Sequence, residues 1–207
     1  PLDSLVLITF VFINLSMILF TGCSMTWGDE LENRLQDRFS RSHPNIAQCG
    51  MSNDMMVMKT IEYIEQNPDV EYVVAQFIVP RRIMYYKNGW KNITPWTKTT
   101  EARVFYKYLD SQESRMINLW KNVYILDQYL SDIPHYFFRA SEASEKTVSD
   151  DCIFKKLVPW SDMVTLRDLI GTPETHPKHY VTGHPNKLGH ELIAQHLQGV
   201  VPNSLYH

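Results

Sequence analysis

The spacing of apolar positions changes along this chain, and the changes divide it into elements. Met17-Ile18-Leu19-Phe20-Thr21 is a short continuous apolar run stopped by Gly22, the pattern of a strand buried on both faces. Leu31, Leu35 and Phe39 recur every four residues amid charge and predict an amphipathic helix over about 29–40. Residues 42–50 (SHPNIAQCG) carry a turn and a second short strand. Ser52 or Asn53 caps a further helix with Met55, Met58, Ile61 and Ile64 along its seam, and Asn67-Pro68-Asp69 ends it. Residues 70–79 (VEYVVAQFIV) form a run continuous enough for a central strand. Residues 80–100 have no period and are rich in Gly, Pro, Trp and Tyr, which reads as a long functional loop or insertion. Helical spacing returns over about 101–130, through Ile117, Trp120, Tyr124 and Leu130, and 133–140 reads as another strand. A polar loop follows, then a short helix over 160–171 closed by Gly171 and a loop over 175–185. The last element is an amphipathic helix over 186–201, with Leu188, Leu192, Ile193, Leu197 and Val200 on one face.

Strands alternating with helices imply βαβ units. The expected fold is α/β: a three-layer α/β/α sandwich around a parallel sheet of about five strands. Active sites in such folds lie beyond the carboxyl ends of the strands. Ser24 stands just past the first strand and His184 just before the last helix, a sensible placement for a catalytic pair.

Composition narrows the classes. At 207 residues the chain fits one domain, expected over 17–207. A net charge of −3 without basic runs argues against a nucleic-acid partner. Cys23, Cys49 and Cys152 are widely spaced and odd in number, which gives no disulfide framework and suits a reducing, cytoplasmic setting. His176, His179, His184, His190 and His196 crowd the C-terminal quarter, but their spacing matches no zinc motif and no metal is expected.

Residues 5–22 alone approach the length of a membrane span. They contain Asn14 and Ser16, and no Lys or Arg precedes them, unlike a signal peptide with its basic start. Residues 1–16 are read as an apolar extension upstream of a start at Met17, with an anchor or exported form, or a buried extra element, as the alternatives. The FTGC sequence before Ser24 only loosely fits a lipoprotein cleavage site, because Phe20 stands three before the cysteine. If 17–21 is the strand that delivers Ser24, cleavage at Cys23 would remove it from the sheet.

Two blocks then carry a family resemblance. Gly22, Ser24, Thr26 and Gly28 in GCSMTWGDEL, together with His184, Pro185, Asn186, Gly189 and His190 in GHPNKLGHELIA, resemble the SGNH or GDSL-type serine hydrolases, especially the divergent members of phage and environmental bacterial sequences. The resemblance implies the flavodoxin-like fold of that family, Ser24 as nucleophile and His184 as its general base. It also implies an oxyanion hole built from backbone N–H groups at Ser24 and Gly50. The family's third block supplies an asparagine after the third strand. This chain has Gln76-Phe77-Ile78-Val79-Pro80 there, so Asn53, or else Gln76, is expected to stand in. The family's aspartate three residues before the histidine is replaced by Val181, which leaves a serine–histidine dyad unless Glu174 or Asp168 folds back.

The implied activity is hydrolysis of an ester or acetyl ester of a small molecule or carbohydrate through an acyl-enzyme on Ser24, with no cofactor and no membrane partner. Arg81 and Arg82 are candidates to orient an anionic substrate group, and Trp90, with Trp96, Tyr85 and Tyr86, to wall a substrate groove; solvated loop and packing are the competing readings. Cys23 reads as a small buried hydrophobe rather than a reactive thiol. Two other classes stay open. One is a catalytically degenerate member of the fold serving as a binding or structural module, for instance in a phage particle. The other is a membrane-anchored lipoprotein of unrelated function.

Overall fold

Backbone pairing settles what the first apolar run does. Strand β1 (Met17–Thr21) lies parallel to β2 (Val70–Phe77), with Ile18 opposite Tyr72 and Thr21 opposite Ala75. On its other edge β2 pairs in parallel with β5 (His135–Arg139). A computed structural model describes residues 17–27, 43–78, 81–140, 148–181 and 183–205 of the chain. The helix expected over 29–40 and the extension 1–16 lie outside the described residues.

The expected sheet of about five strands is corrected to three, in the order β1-β2-β5. The two missing edges are nonetheless occupied. Asn45 forms a single parallel bridge to Phe20, through Phe20 N–H to the Pro44 carbonyl (2.9 Å) and Ile46 N–H to the Phe20 carbonyl (2.9 Å). Thr165 forms another to Arg139, whose N–H donates to the Val164 carbonyl (2.9 Å). Pro44 has no N–H to donate, and Thr165 leaves the sheet at once to cap a helix, so neither segment extends into a ladder.

Helices cover both faces, giving the three layers. Helices α2 (Asn53–Gln66) and α4 (Gln112–Tyr129) pack on the face made by Leu19, Val73, Ala75 and Phe77. Helices α6 (Leu166–Ile170) and α7 (Lys187–Val200) pack on the face made by Ile18, Phe20, Tyr72, Val74 and Phe138. The alternation of strand residues between two apolar faces is why the runs are continuous rather than alternating. Ser52 caps α2, its Oγ accepting from Met55 N–H at 3.2 Å, and Asn186 caps α7. The predicted helical stretch over 101–130 is broken in two. Helix α3 (Thr100–Val104) runs into a π-helical turn over Phe105–Leu109 and stops at Asp110, and Ser111 then opens α4 with a capping box. Two short helices, α1 (Ser24–Trp27) and α5 (Ile153–Leu157), are also present among the described residues.

The aperiodic stretch 80–100 is a β-hairpin, β3 (Ile83–Tyr86) antiparallel to β4 (Trp90–Ile93). Its signal is Asn88-Gly89 at the turn, both at positive φ (53° and 109°), a conformation those two residue types adopt at low cost. A second, two-residue ribbon pairs β6 (Tyr180–Val181) with β7 (His184–Pro185) directly before α7. Among the described residues, no helix is long and apolar enough to cross a membrane.

On the α7 side of the sheet the Tyr136 hydroxyl meets His196 Nε2 at 2.7 Å, and burial pushes the His196 pKa below its ordinary 6.5. The unfolded chain therefore binds this proton more readily than the folded one. The contribution of neutral His196 to stability is complete above its unfolded pKa and is lost as pH falls through the folded value. Urea midpoints measured from pH 7.5 to 5.0 are expected to fall more steeply with acid for the wild type than for His196→Gln; parallel curves would refute the assignment.

Candidate active site

Strand β1 ends at Thr21, whose hydroxyl accepts from Thr60 Oγ1 at 3.1 Å, fastening the strand end to α2. Gly22 then turns the chain towards β2. A Cβ here would lie 2.4 Å from Thr26 Oγ1 and 2.9 Å from Gln76 Cβ, and φ is +153°, so only glycine lets the turn approach this closely. Ser24 opens α1 immediately beyond, buried at 4% exposure.

His184 reaches the same point from the other end of the chain. The Asn186 Oδ1 accepts from Gly189 N–H at 3.1 Å, and its Nδ2 donates to the Lys178 carbonyl at 2.7 Å. Pro185 is buried, and Gly189 lies against the His179 carbonyl so closely that a Cβ would come within 2.5 Å of it. The His-Pro-Asn and Gly positions thus fix the ribbon that presents the imidazole. The result is a Ser24 Oγ to His184 Nε2 distance of 3.0 Å across 160 residues of sequence.

For Nε2 to accept the Ser24 proton, Nδ1 must carry the ring hydrogen. That Nδ1 is buried and has no hydrogen-bond partner among the described residues. Val181 stands directly across the ribbon from His184 and offers no side-chain acceptor. Neither Asp168 nor Glu174, the alternative sources of an acid, supplies one to this nitrogen. Asp168 Oδ2 accepts from Thr165 Oγ1 (2.7 Å) and Thr165 N–H (2.8 Å) as the capping box of α6, and those two bonds, the hydroxyl's first, hold its pKa below the ordinary carboxylate value. Glu174 is held down likewise by the Thr172 hydroxyl and its own N–H.

Gln76, at the carboxyl end of β2, ties the turn together. Its Oε1 accepts from Thr26 Oγ1 at 2.9 Å and from the Cys23 thiol at 3.3 Å. Burial raises the Cys23 pKa, against weaker opposing pulls from the Met25 N–H, the Arg82 charge and the Ser24 hydroxyl, so the sulfur stays a protonated donor. Asn53 faces elsewhere. Its Nδ2 donates to the Ile78 carbonyl (3.2 Å) and its Oδ1 accepts from Ile78 N–H (3.0 Å), bracing α2 against the end of β2. Gly50 sits in a turn at φ +77°, in a loop hung from the nucleophile turn by Gln48 N–H donating to the Gly22 carbonyl at 3.4 Å.

The hairpin docks on that same loop. Arg82 Nη1 donates to the Met51 carbonyl at 3.3 Å, and Asn92 Oδ1 accepts from Ser52 Oγ at 2.7 Å. The Asn92 contact was not anticipated, because its only sequence signal is a hairpin whose turn had to be recognised first. Arg81 is exposed, its carbonyl accepting from Tyr106 Oη at 2.5 Å. Trp90 lies two residues before Asn92, at the start of β4, half exposed and edge-on to Tyr86 at 5.2 Å. On the opposite flank a cavity of about 370 Å³ is lined by Met25, Ala140, Leu166, Tyr180 and Gly183, among others, which include the residues directly after Ser24 and before His184. The C-terminal histidines disperse: His176 stacks on His179 (5.2 Å), His179 Nδ1 meets the Ile170 carbonyl, and His190 is buried within α7.

No family model and no curated protein matches the sequence. Among solved structures the chain is similar to a member of the lipolytic protein G-D-S-L family from Veillonella parvula DSM 2008. The identity is 11%, over 89% of this chain and 97% of that one, with a TM-score of 0.48. It is also similar to the C-terminal catalytic domain of peptidoglycan O-acetyltransferase A from Streptococcus pneumoniae, solved with a methylsulfonyl adduct. There the identity is 14%, over 89% and 91% of the two chains, with a TM-score of 0.39. Identities and scores this low transfer no residue role and no substrate, so the site stands on its own distances.

Gly22→Ala is expected to destabilise the protein by about 1–3 kcal/mol, the usual cost of overpacking. It should also lower any activity of the Ser24 turn further than the loss of folded protein explains. An unchanged urea midpoint would show that the turn relaxes without strain.

Proposed function

We propose that the chain is a serine hydrolase that cleaves an ester, with an acetyl or other short acyl group, through an acyl-enzyme on Ser24. The observation that carries this reading is the 3.0 Å contact between Ser24 Oγ and His184 Nε2 at the carboxyl end of a parallel sheet. Ser24 Oγ attacks the acyl carbonyl while His184 Nε2 takes its proton; the imidazolium then protonates the departing alcohol. Water then adds to the acyl carbonyl as His184 removes its proton, and the imidazolium returns that proton to Ser24 Oγ as the acyl–Oγ bond breaks and the acid leaves. The short acyl group fits the cavity bounded by Met25 and Tyr180. The Ser24 and Gly50 N–H groups donate to no acceptor among the described residues and are the candidate oxyanion donors, as each must be to aim at the charge that develops. Gln76 is a further candidate, its Oε1 being occupied and its amide nitrogen having no hydrogen bond among the described residues.

One observation favours a second reading, a catalytically degenerate binding module. The buried Nδ1 without a partner leaves the imidazolium unsupported when it forms, and an unmet buried donor costs about 1–3 kcal/mol. Labelling by a fluorophosphonate probe separates the two. Wild type is expected to label, and Ser24→Ala and His184→Ala to lose labelling while remaining folded. Absence of labelling in folded wild type would support the binding module.

The ribbon register yields a second test. Directly opposed residues of an antiparallel pair have Cβ atoms about 4.5–5.5 Å apart on one face. Val181 faces His184 in this way and is 40% exposed, so a carboxylate there keeps contact with water. Val181→Asp is expected to raise kcat on the order of tenfold, less than the roughly hundredfold or more of a fully oriented acid–base group, because this carboxylate keeps contact with water. A kcat unchanged or lowered in the folded variant would show that the missing acid is not what limits the dyad.

A further inference from the structure

Resting on the hydrolase reading, we infer that Arg82 is a specificity residue and that the substrate carries a carboxylate on its alcohol half. Arg82 is bound into the site by a chain of contacts. Gln48 N–H donates to the carbonyl of Gly22, Met51 N–H donates to the Gln48 carbonyl at 3.1 Å, and Arg82 Nη1 donates to the Met51 carbonyl. The guanidinium lies on the Trp96 ring, 5.0 Å from its centroid. Its charge is felt by the thiol of Cys23, the residue next to the nucleophile.

This guanidinium is positioned but not neutralised. Arg115 is paired with Asp110, Lys87 with Glu101 and Lys155 with Asp150, whereas Arg82 has no carboxylate partner among the described residues. Among the described residues only Nη1 is engaged, which leaves the edge formed by Nε and Nη2 with both of its donors. That edge matches the two oxygens of a carboxylate in a bidentate pair. Ring stacking and the Met51 carbonyl hold the side chain in place beforehand, which reduces the ordering cost of binding. A single cation suits a monoanion better than a phosphate dianion. Arg81 and Lys98, nearby in sequence, are exposed to solvent. With the acyl group assigned to the cavity beside Met25 and Tyr180, the Arg82 flank of Ser24 is left for the alcohol.

The test uses two matched pairs. Benzoate and benzamide differ in charge but hardly in shape, and binding of each to the folded Ser24→Ala protein is measured by calorimetry. Benzoate is expected to bind about tenfold more tightly, the scale of one charge-assisted pair at a half-buried site, and the difference to vanish in Ser24→Ala/Arg82→Gln and to return in part in Ser24→Ala/Arg82→Lys. In the otherwise wild-type protein, kcat/KM for 4-acetoxybenzoate should exceed that for 4-acetoxybenzamide by a similar factor. That ratio should fall to about one in Arg82→Gln, whatever the substitution does to both rates. It should also shrink with added salt. Equal binding of the two ligands, or a preference that survives Arg82→Gln, overturns the inference. Preferential benzoate binding with no turnover of either ester keeps the anion site and removes the hydrolase reading. Turnover of both esters at equal rates does the reverse.

Discussion

Parallel pairing between Met17–Thr21 and Val70–Ala75 is the constraint on which the other features depend. It has no local turn to enforce it, and the two strands are separated by about fifty residues of chain, so the register is held by what each residue buries. Leu19 belongs to the face covered by α2 and α4, and Ile18 and Phe20 to the face covered by α6 and α7. A slip of one residue would exchange those sets and move Thr21 away from Thr60 and the Gly22 turn away from Gln76. Ser24 is then placed by the strand end rather than by contacts of its own. The same reasoning decides the role of the first apolar run: residues with such complete burial on both faces serve as the interior of a sheet.

Much of this was legible in the sequence because its periods are strong. The β1 and β2 runs, the α2 and α7 seams and the caps at Ser52 and Asn186 all read directly, since burial and capping act through nearest neighbours along the chain. Ser24 and His184 were legible as positions, one after a strand and one before a helix, although their 3.0 Å contact needed the fold. What failed did so for identifiable reasons. The strand expected within 42–50 shrinks to one bridge at Asn45, beside a proline that has no N–H to donate, and the single bridge at Thr165 falls where the sequence showed only a short helix. The hairpin over 83–93 has no alternation, since its residues are partly exposed on both faces, and only Asn88-Gly89 announces it. Asn53 was read as a possible donor to the site, but α2 turns its amide onto the Ile78 backbone, a contact over 25 residues that no local pattern encodes.

The electrostatics of the pair are unusually bare. Serine hydrolysis places a positive charge on the histidine at the moment a negative charge forms on the substrate, and a carboxylate behind the ring commonly offsets the first. Here the nearby acids close a helix cap and a local turn, and the ring nitrogen faces none of them. The positive charge felt at Cys23, beside Ser24, is that of Arg82. If a substrate anion rests there, as the hydrolase reading infers, it adds negative charge to the site only in the bound complex. On that reading the electrostatic setting of His184 depends on what is bound, more than it would with a built-in aspartate.

The hairpin that carries Arg82 meets the rest of the domain through that residue's hold on the Met51 carbonyl, Asn92's hold on Ser52, the Tyr106 hydroxyl's bonds to the Arg81 and Ile93 carbonyls, the Lys87–Glu101 ion pair, buried Ile93, and Met84 packed on the α2/α4 side of the core. Among the described residues it contributes no strand to the central sheet. Such a module can be exchanged, lengthened or recharged by mutation with small consequences for folding, because the register that places Ser24 is set elsewhere. The side chains that the hairpin brings beside Ser24 can thus change while the β1–β2 register that presents the serine is held by its own two apolar faces.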